Sequence, residues 1–342
     1  MNKTEYLDLL KKKLKFADED FVKSLIADFE AHFESGFAEG LSEEDIISHL
    51  GDVDEIVDSL DKDFVKKDHF VHDEKKTGEK VRHVVIDAKF ADIVATPSQN
   101  EKVEVLMLNK GGLLSKFTNT MVGEQKGDVF EIKVLPLFNV SSNVDMKISV
   151  TLPSTLNSCK ITTSSGDVEY TGIVLDGECS IKTASGDIVV SDCVHQTFDL
   201  QMASGDLDYS KNTGDVRIKS ANGDVSIKEG RGDLLDCVLA SGDIEVDGIY
   251  RTVNVKTVSG DAELALSNAE QMTIATVSGD GQVTLKDMDS VKIDFVSVSG
   301  HCRINEPAGE HKLKNRQQWV LGDGKIPCQI HTVSGEFEVN MG

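Results

Sequence analysis

From about residue 150 onward, apolar and polar positions alternate with a period of two, and a Ser-Gly-Asp turn interrupts them at near-constant intervals. "ASGDIVV" begins at Ala184, and "ASGDLDY", "ANGDVSI", "ASGDIEV", "VSGDAEL" and "VSGDGQV" follow it. Aligned on the turn glycine, the copies fall at Gly166, Gly186, Gly205, Gly223, Gly242, Gly260, Gly279, Gly300 and Gly335, at spacings of 20, 19, 18, 19, 18, 19, 21 and 35 residues. Seven positions before each glycine stand Cys159, Cys179, Phe198, Val216, Leu235, Val253, Met272, Ile293 and Cys328. Five before, the column is again apolar, from Ile161 to Ile330, and the column between the two is polar. This is the pattern of a half-buried strand. Four positions past the glycine the apolar column resumes with Tyr170, Val190, Tyr209 and Ile227. Each repeat therefore predicts a strand, a tight corner, a second strand and a looser corner.

About nineteen residues per repeat, with no helical segment, predicts one coil of a β-solenoid per repeat. The expected fold class is mainly β, a single-stranded β-solenoid with a small N-terminal all-α domain. Nine corners about 4.8 Å apart make a rod of roughly 40 Å. No coil buries its apolar face alone, so the inward cysteines read as small core residues. Cys159 and Cys179 sit one coil apart, but none of the six cysteines forms a CxxC pair, and reduced thiols are expected.

Residues 1–64 carry the other period. Leu7, Leu10 and Leu14 share one helical face, and Phe21, Leu25, Phe29 and Phe33 recur every four residues as a core stripe. Ser42 with Asp45 reads as a capping box and Gly51 as the residue past that helix; Asp52 and Glu55 start another helix with Ile56, Val57 and Leu60. The run from "MNKTEYLDLLKKKL" through "FEAHFESGFAEGLSEEDIISHLGDVDEIVDSL" resembles the bacterial HAAS-type helical domain, which implies a signal-transduction association. Residues 65–80 read as a charged linker, where His69 and His72, beside Asp68 and Asp73, lack the rigid support a metal site needs.

Residues 81–150 lack the period but keep strand alternation, and they are expected to form irregular first coils of one domain spanning 81–342. The insertion holding Trp319 separates the last repeat, whose "IHTVSGEFEVN" is expected to complete a coil that would otherwise leave an open edge. "VTLPSTLNSCKITTSSGDVEY", the recurring "T-[AV]-S-G-D-[IV]" and "GDGKIPCQIHTVSGEFEV" resemble the bacterial putative-adhesin family of unknown function. That resemblance implies a β-solenoid and carries over no catalytic residue.

The corner letters have structural roles. Gly166, Gly186, Gly205, Gly223, Gly242, Gly260 and Gly279 permit positive φ, the serine bonds nearby backbone, and the aspartate satisfies a turn amide. The aspartates stack into a column in which Asp187, Asp206, Asp224 and Asp243 are the candidates for a metal. Neighbouring carboxylates at that spacing repel by about 1 kcal/mol at the dielectric of water, and a turn hydrogen bond offsets about as much, so no cation is required. A calcium roll would need a nine-residue GGxGxD repeat, which is absent. His301 replaces the aspartate after Asp280 and is expected to relieve that end of the column.

A formal charge of −23 disfavours nucleic acid and anionic lipid as partners, leaving a protein partner and membrane association only through that partner. No apolar run is long enough to span a bilayer, and "MNKTEYLDLLKKKLKF" has no signal-like apolar region, so a cytoplasmic location is expected, with the cell surface as the alternative. No cofactor is expected. The sequence supports a non-catalytic scaffold that joins a helical head to a rigid β-rod. The alternatives are a surface adhesin exported by an unrecognised route and a polysaccharide-acting β-helix enzyme. The enzyme reading is disfavoured because no strand face shows an excess of Arg and Lys and no catalytic constellation emerges.

Overall fold

The computed structural model describes residues 1–14, 19–38, 40–59, 69–71, 80–109, 119–136 and 146–342, in which the protein is mainly β with a small N-terminal helical region. The helices are α1 (Lys3–Lys13), α2 (Glu19–Ala38), α3 (Glu43–Leu50) and α4 (Val53–Ser59). Ser42 Oγ accepts the Asp45 amide at 3.2 Å and the Asp45 carboxylate accepts the Ser42 amide at 3.4 Å, the reciprocal cap that the sequence spells. Asn2 and Glu5 make the same exchange at α1, unread from the sequence. Leu25, Phe29 and Phe33 are buried with Tyr6, Leu10 and Leu14. The side chain of Phe21, and Leu60, lie outside the described residues.

Of the stretch read as a linker, His69–Val71 forms strand β1, while Asp68, His72 and Asp73 lie outside the described residues. The next strands are β2 (His83–Ala88), β3 (Ala91–Pro97), β4 (Glu104–Asn109), β5 (Asn119–Lys126), β6 (Val129–Pro136) and β7 (Met146–Leu152). Much of the excursion before β5 also lies outside the described residues.

The repeats stack as parallel strands in register. β8 (Ser158–Thr162), β10 (Glu178–Thr183), β12 (Val194–Met202) and β14 (Thr213–Asn222) bring Cys159, Cys179, Phe198 and Val216 into one row of partners. β15 (Val225–Ser241), β16 (Ile244–Ser259) and β18 (Gln271–Ser278) continue it through Leu235, Val253 and Met272. The strands after each corner form a second row: β9 (Val168–Thr171), β11 (Ile188–Ser191), β13 (Leu207–Ser210), the first halves of β15 and β16, then β17 (Ala262–Ser267) and β19 (Gly281–Lys286). Every member of the column seven before the glycine is 0% exposed, which places the core between the two rows. The six cysteines are buried free thiols.

The two ends depart from sequence order. At the N-terminal end β2 lies between β6 and β8, and β3 between β7 and β9, so the first coil in the chain is second in the stack. β5 and β4 cover β6 and β7 as antiparallel partners, and β1 pairs with β4. At the other end are β20 (Val291–Glu306), β21 (Gly309–Leu321), β22 (Ile326–Ser334) and β23 (Glu336–Met341). β22 inserts between β18 and β20, and β23 between β19 and β20. The last repeat completes a coil, as the sequence reads, but that coil is an interior level and not the end of the stack. The reason lies in the insertion: it forms β21, which covers one edge of β20 as an antiparallel hairpin and leaves the other edge open to β22. Trp319 packs against that end of the core.

Candidate functional site: the carboxylate column and its flanking faces

The corner column is one chain of hydrogen bonds running between levels. The amide of Asp187 donates to Asp167 Oδ1 at 2.9 Å, Asp206 to Asp187 at 3.0 Å, Asp224 to Asp206 at 2.8 Å and Asp243 to Asp224 at 2.8 Å. Asp261, Asp280 and Glu336 extend it at 2.8, 2.7 and 2.8 Å. Asp92 heads the column by accepting from Asp167 at 3.0 Å. It was missed in the sequence, although "ADIVA" around Asp92 echoes "GDIVV" around Asp187.

The sequence placed these bonds inside each turn; the structure places them between turns. The serines follow suit, with Ser185 Oγ donating to the Ser164 carbonyl and Ser204 Oγ to the Ala184 carbonyl, each at 3.3 Å. The seven glycines all have positive φ, and a Cβ at Gly186 (φ +122°) would overlap the Gly166 carbonyl oxygen. Glycine is needed twice over, for conformation and for close stacking.

The candidate metal residues Asp187, Asp206, Asp224 and Asp243 stand in this column. Each has one oxygen tied to the amide of the next level. Among the described residues, no group of three His, Cys, Asp or Glu side chains converges as a metal centre. Beside the column runs an open groove of about 600 Å³ lined by Asp243, Glu245, Asp261, Glu263 and Asp280 and closed by His301 and Arg303. His301 does not follow Asp280. Glu336 lies between them, and His301 Nδ1 is 3.4 Å from Glu336 Oε1, because the last repeat is inserted there.

At the second corner Asp215 Oδ1 accepts the amides of Asp233 and Leu234 at 3.1 and 3.0 Å. Asp192, Lys211 and Glu229 hold positive φ there without glycine. Inside the stack His195 is buried; its Nε2 lies 3.2 Å from the Tyr209 hydroxyl and its ring stacks on Phe198. Burial lowers its pKa to about 4, so the imidazole is neutral at pH 7. Neighbouring Asn212 accepts the Cys193 amide and donates to the Val190 carbonyl, each at 2.8 Å.

The face before the corner differs from the acidic one. Its groove, of about 790 Å³, has Ala184, Ala203, Ala221 and Ala240 among its lining residues, with Lys182 and Lys219, and no Asp or Glu lines it. Two lysines lie in this groove, and Asp199 and Asp236 stand on the same strands beside it.

Three solved structures are similar to the chain. A putative cell adhesion protein from Clostridium sporogenes is 11% identical over 80% of this chain and 99% of its own, with a TM-score of 0.24. A putative adhesin from Parabacteroides distasonis is 13% identical over 80% and 96%, with a TM-score of 0.45. One from Bacteroides fragilis is 15% identical over 80% and 98%, with a TM-score of 0.39. No curated protein matches the chain. Residues 5–59 match the HAAS family. Residues 81–340 match Toastrack DUF4097, and the chain belongs to that family.

Proposed function

We propose that the protein is a non-catalytic scaffold. Its repeats form a β-solenoid of about nineteen-residue coils, a stiff rod presenting long faces to protein partners, and the HAAS head is the signalling-type module joined to it. The observation that supports this reading is the corner column: its carboxylates hold the next level's amides, which gives them a structural task and leaves the faces on either side as regular arrays. Such arrays suit recognition of an extended protein surface.

The test uses the full chain. Affinity capture followed by native mass spectrometry should recover a stoichiometric complex with a different protein, which the chain lacking residues 1–64 still forms through the faces of the rod. The chain should also release no reducing ends from an acidic polysaccharide. Release that disappears in Asp243→Asn would overturn the reading in favour of an enzyme. Removal of the chain from intact cells by external protease would overturn it in favour of an adhesin.

A further inference from the structure

Two positions before each turn glycine, the outward column changes size half-way along the stack. Ala184, Ala203, Ala221 and Ala240 occupy four successive levels, and Val258, Val277, Val333 and Val298 occupy the next four. The alanines line the shallow groove. The valines are 53%, 45%, 45% and 75% exposed and stand as a ridge. Insertion of the last repeat makes the ridge continuous by setting Val333 between Val277 and Val298.

We propose that this face is a two-fold interface between two copies of the chain, with the valine ridge of each seated in the alanine groove of the other. Ridge and groove share one pitch, since both are built on the same levels about 4.8 Å apart. A two-fold axis along the strands, between the levels of Ala240 and Val258, sets Val258 over the partner's Ala240 and Val277 over the partner's Ala221. The same axis sets Val333 over the partner's Ala203 and Val298 over the partner's Ala184. Four large residues meet four small ones with none left over.

Charge selects the same arrangement. Asp294 comes level with the partner's Lys182 and Lys256 with the partner's Asp236, each diagonal by two residues, about 7 Å, along the strand, while Lys219 faces the level of the uncharged Thr273 and Ala275. A two-fold along the stack would instead set Lys182 level with the partner's Lys182 and Lys219 with the partner's Lys219. Eight levels of about 4.8 Å by a strand of about 20 Å give a face of roughly 750 Å². That is close to the ~800 Å² per partner of a stable interface. At about 0.15 M salt the Debye length is ~8 Å, which screens the long-range repulsion of two acidic chains more than it screens pairs within the contact.

Sedimentation of the full chain across a concentration series in that salt should show a monomer–dimer equilibrium. Ala221→Arg fills the groove and should raise the dimer dissociation constant at least tenfold without lowering the melting temperature at concentrations where the wild type is monomeric, as Ala221 sits on the exposed surface. A second variant fixes the geometry. With Ala221→Cys and Val277→Cys together, a short bismaleimide should give covalent dimers. Within one chain these positions are three levels apart, about 14 Å, and the native thiols are buried, with Cys159 pushed up to about 12. Ala184→Cys with Ala203→Cys, two groove positions that this axis sets at least five levels, about 24 Å, from the partner's pair, should give no covalent dimer. A wild-type chain that stays monomeric, the result expected if some other partner covers this face, overturns the proposal. So does a dimer that Ala221→Arg leaves unchanged, or one that cross-links groove to groove.

Discussion

Met272 pairs with Cys328 and not with Ile293, the next member of the same column in the chain. Cys328 in turn pairs with Ile293, so the last repeat is held on both sides. The amides of Ile326–Met341 should therefore exchange with solvent as slowly as those of β14 and β15, because an interior level opens only with the core. Native-state hydrogen exchange reads this directly. Fast exchange of the kind a frayed terminal strand shows would mean that the insertion is wrong.

The carboxylate column predicts a split between two substitutions at one site. Asp243→Asn keeps an oxygen that accepts the Asp261 amide and removes one charge from a repelling row, so stability in urea should stay within about 0.5 kcal/mol of wild type. Asp243→Ala leaves that amide without its partner and should cost about 1 kcal/mol. Equal losses for both variants would assign the residue an electrostatic task instead. For the same reason, melting in chelator and then in millimolar calcium should give one midpoint.

Gly242 should tolerate no side chain. Its φ is +121°, and a Cβ would overlap the Gly223 carbonyl oxygen of the level below. Gly242→Ala is expected to cost more than about 3 kcal/mol. Gly309, at the β20–β21 turn, has φ +154° but nothing within reach of a Cβ, so Gly309→Ala should cost less, only the backbone strain. Chemical denaturation of the two variants checks the order.

His195 predicts a pH dependence. Its folded pKa, about 4, lies below the ordinary 6.5, so the unfolded chain binds the proton more readily. Stability from this residue is present above about pH 6.5 and is lost as pH falls toward 4, by up to roughly 3 kcal/mol. His195→Gln should flatten that part of the stability–pH profile. An unchanged profile would show that the imidazole is reached by water in the native state.

The columns were legible because every level repeats the same choice: Cys159, Cys179 and Phe198 each sit two positions before another apolar residue, with a polar one between. The order of levels was not legible. Ile293 with Phe295, and Cys328 with Ile330, are equally good inward pairs to lie beside Met272 and Ile274, and nothing local distinguishes them. Their order is set by β21, whose hairpin occupies one edge of β20, a tertiary fact. The recipient of each aspartate's bond was hidden for a related reason: Asp167 names its own turn in the chain, while the amide it holds belongs to Asp187, twenty residues on. The alanine and valine ladder was visible in the "[AV]-S-G-D" motif, but as a choice between two residues its change along the stack was averaged away.

Insertion at the C-terminal end also bears on how the molecule takes a load. A pull transmitted through Met341 would act on strands flanked by hydrogen-bonded neighbours on both sides, β18 and β20 about β22, β19 and β20 about β23. Bonds to both neighbours would be strained together in shear, where an outermost strand would peel away one bond at a time. A chain built this way yields to such a pull only when many bonds break at once.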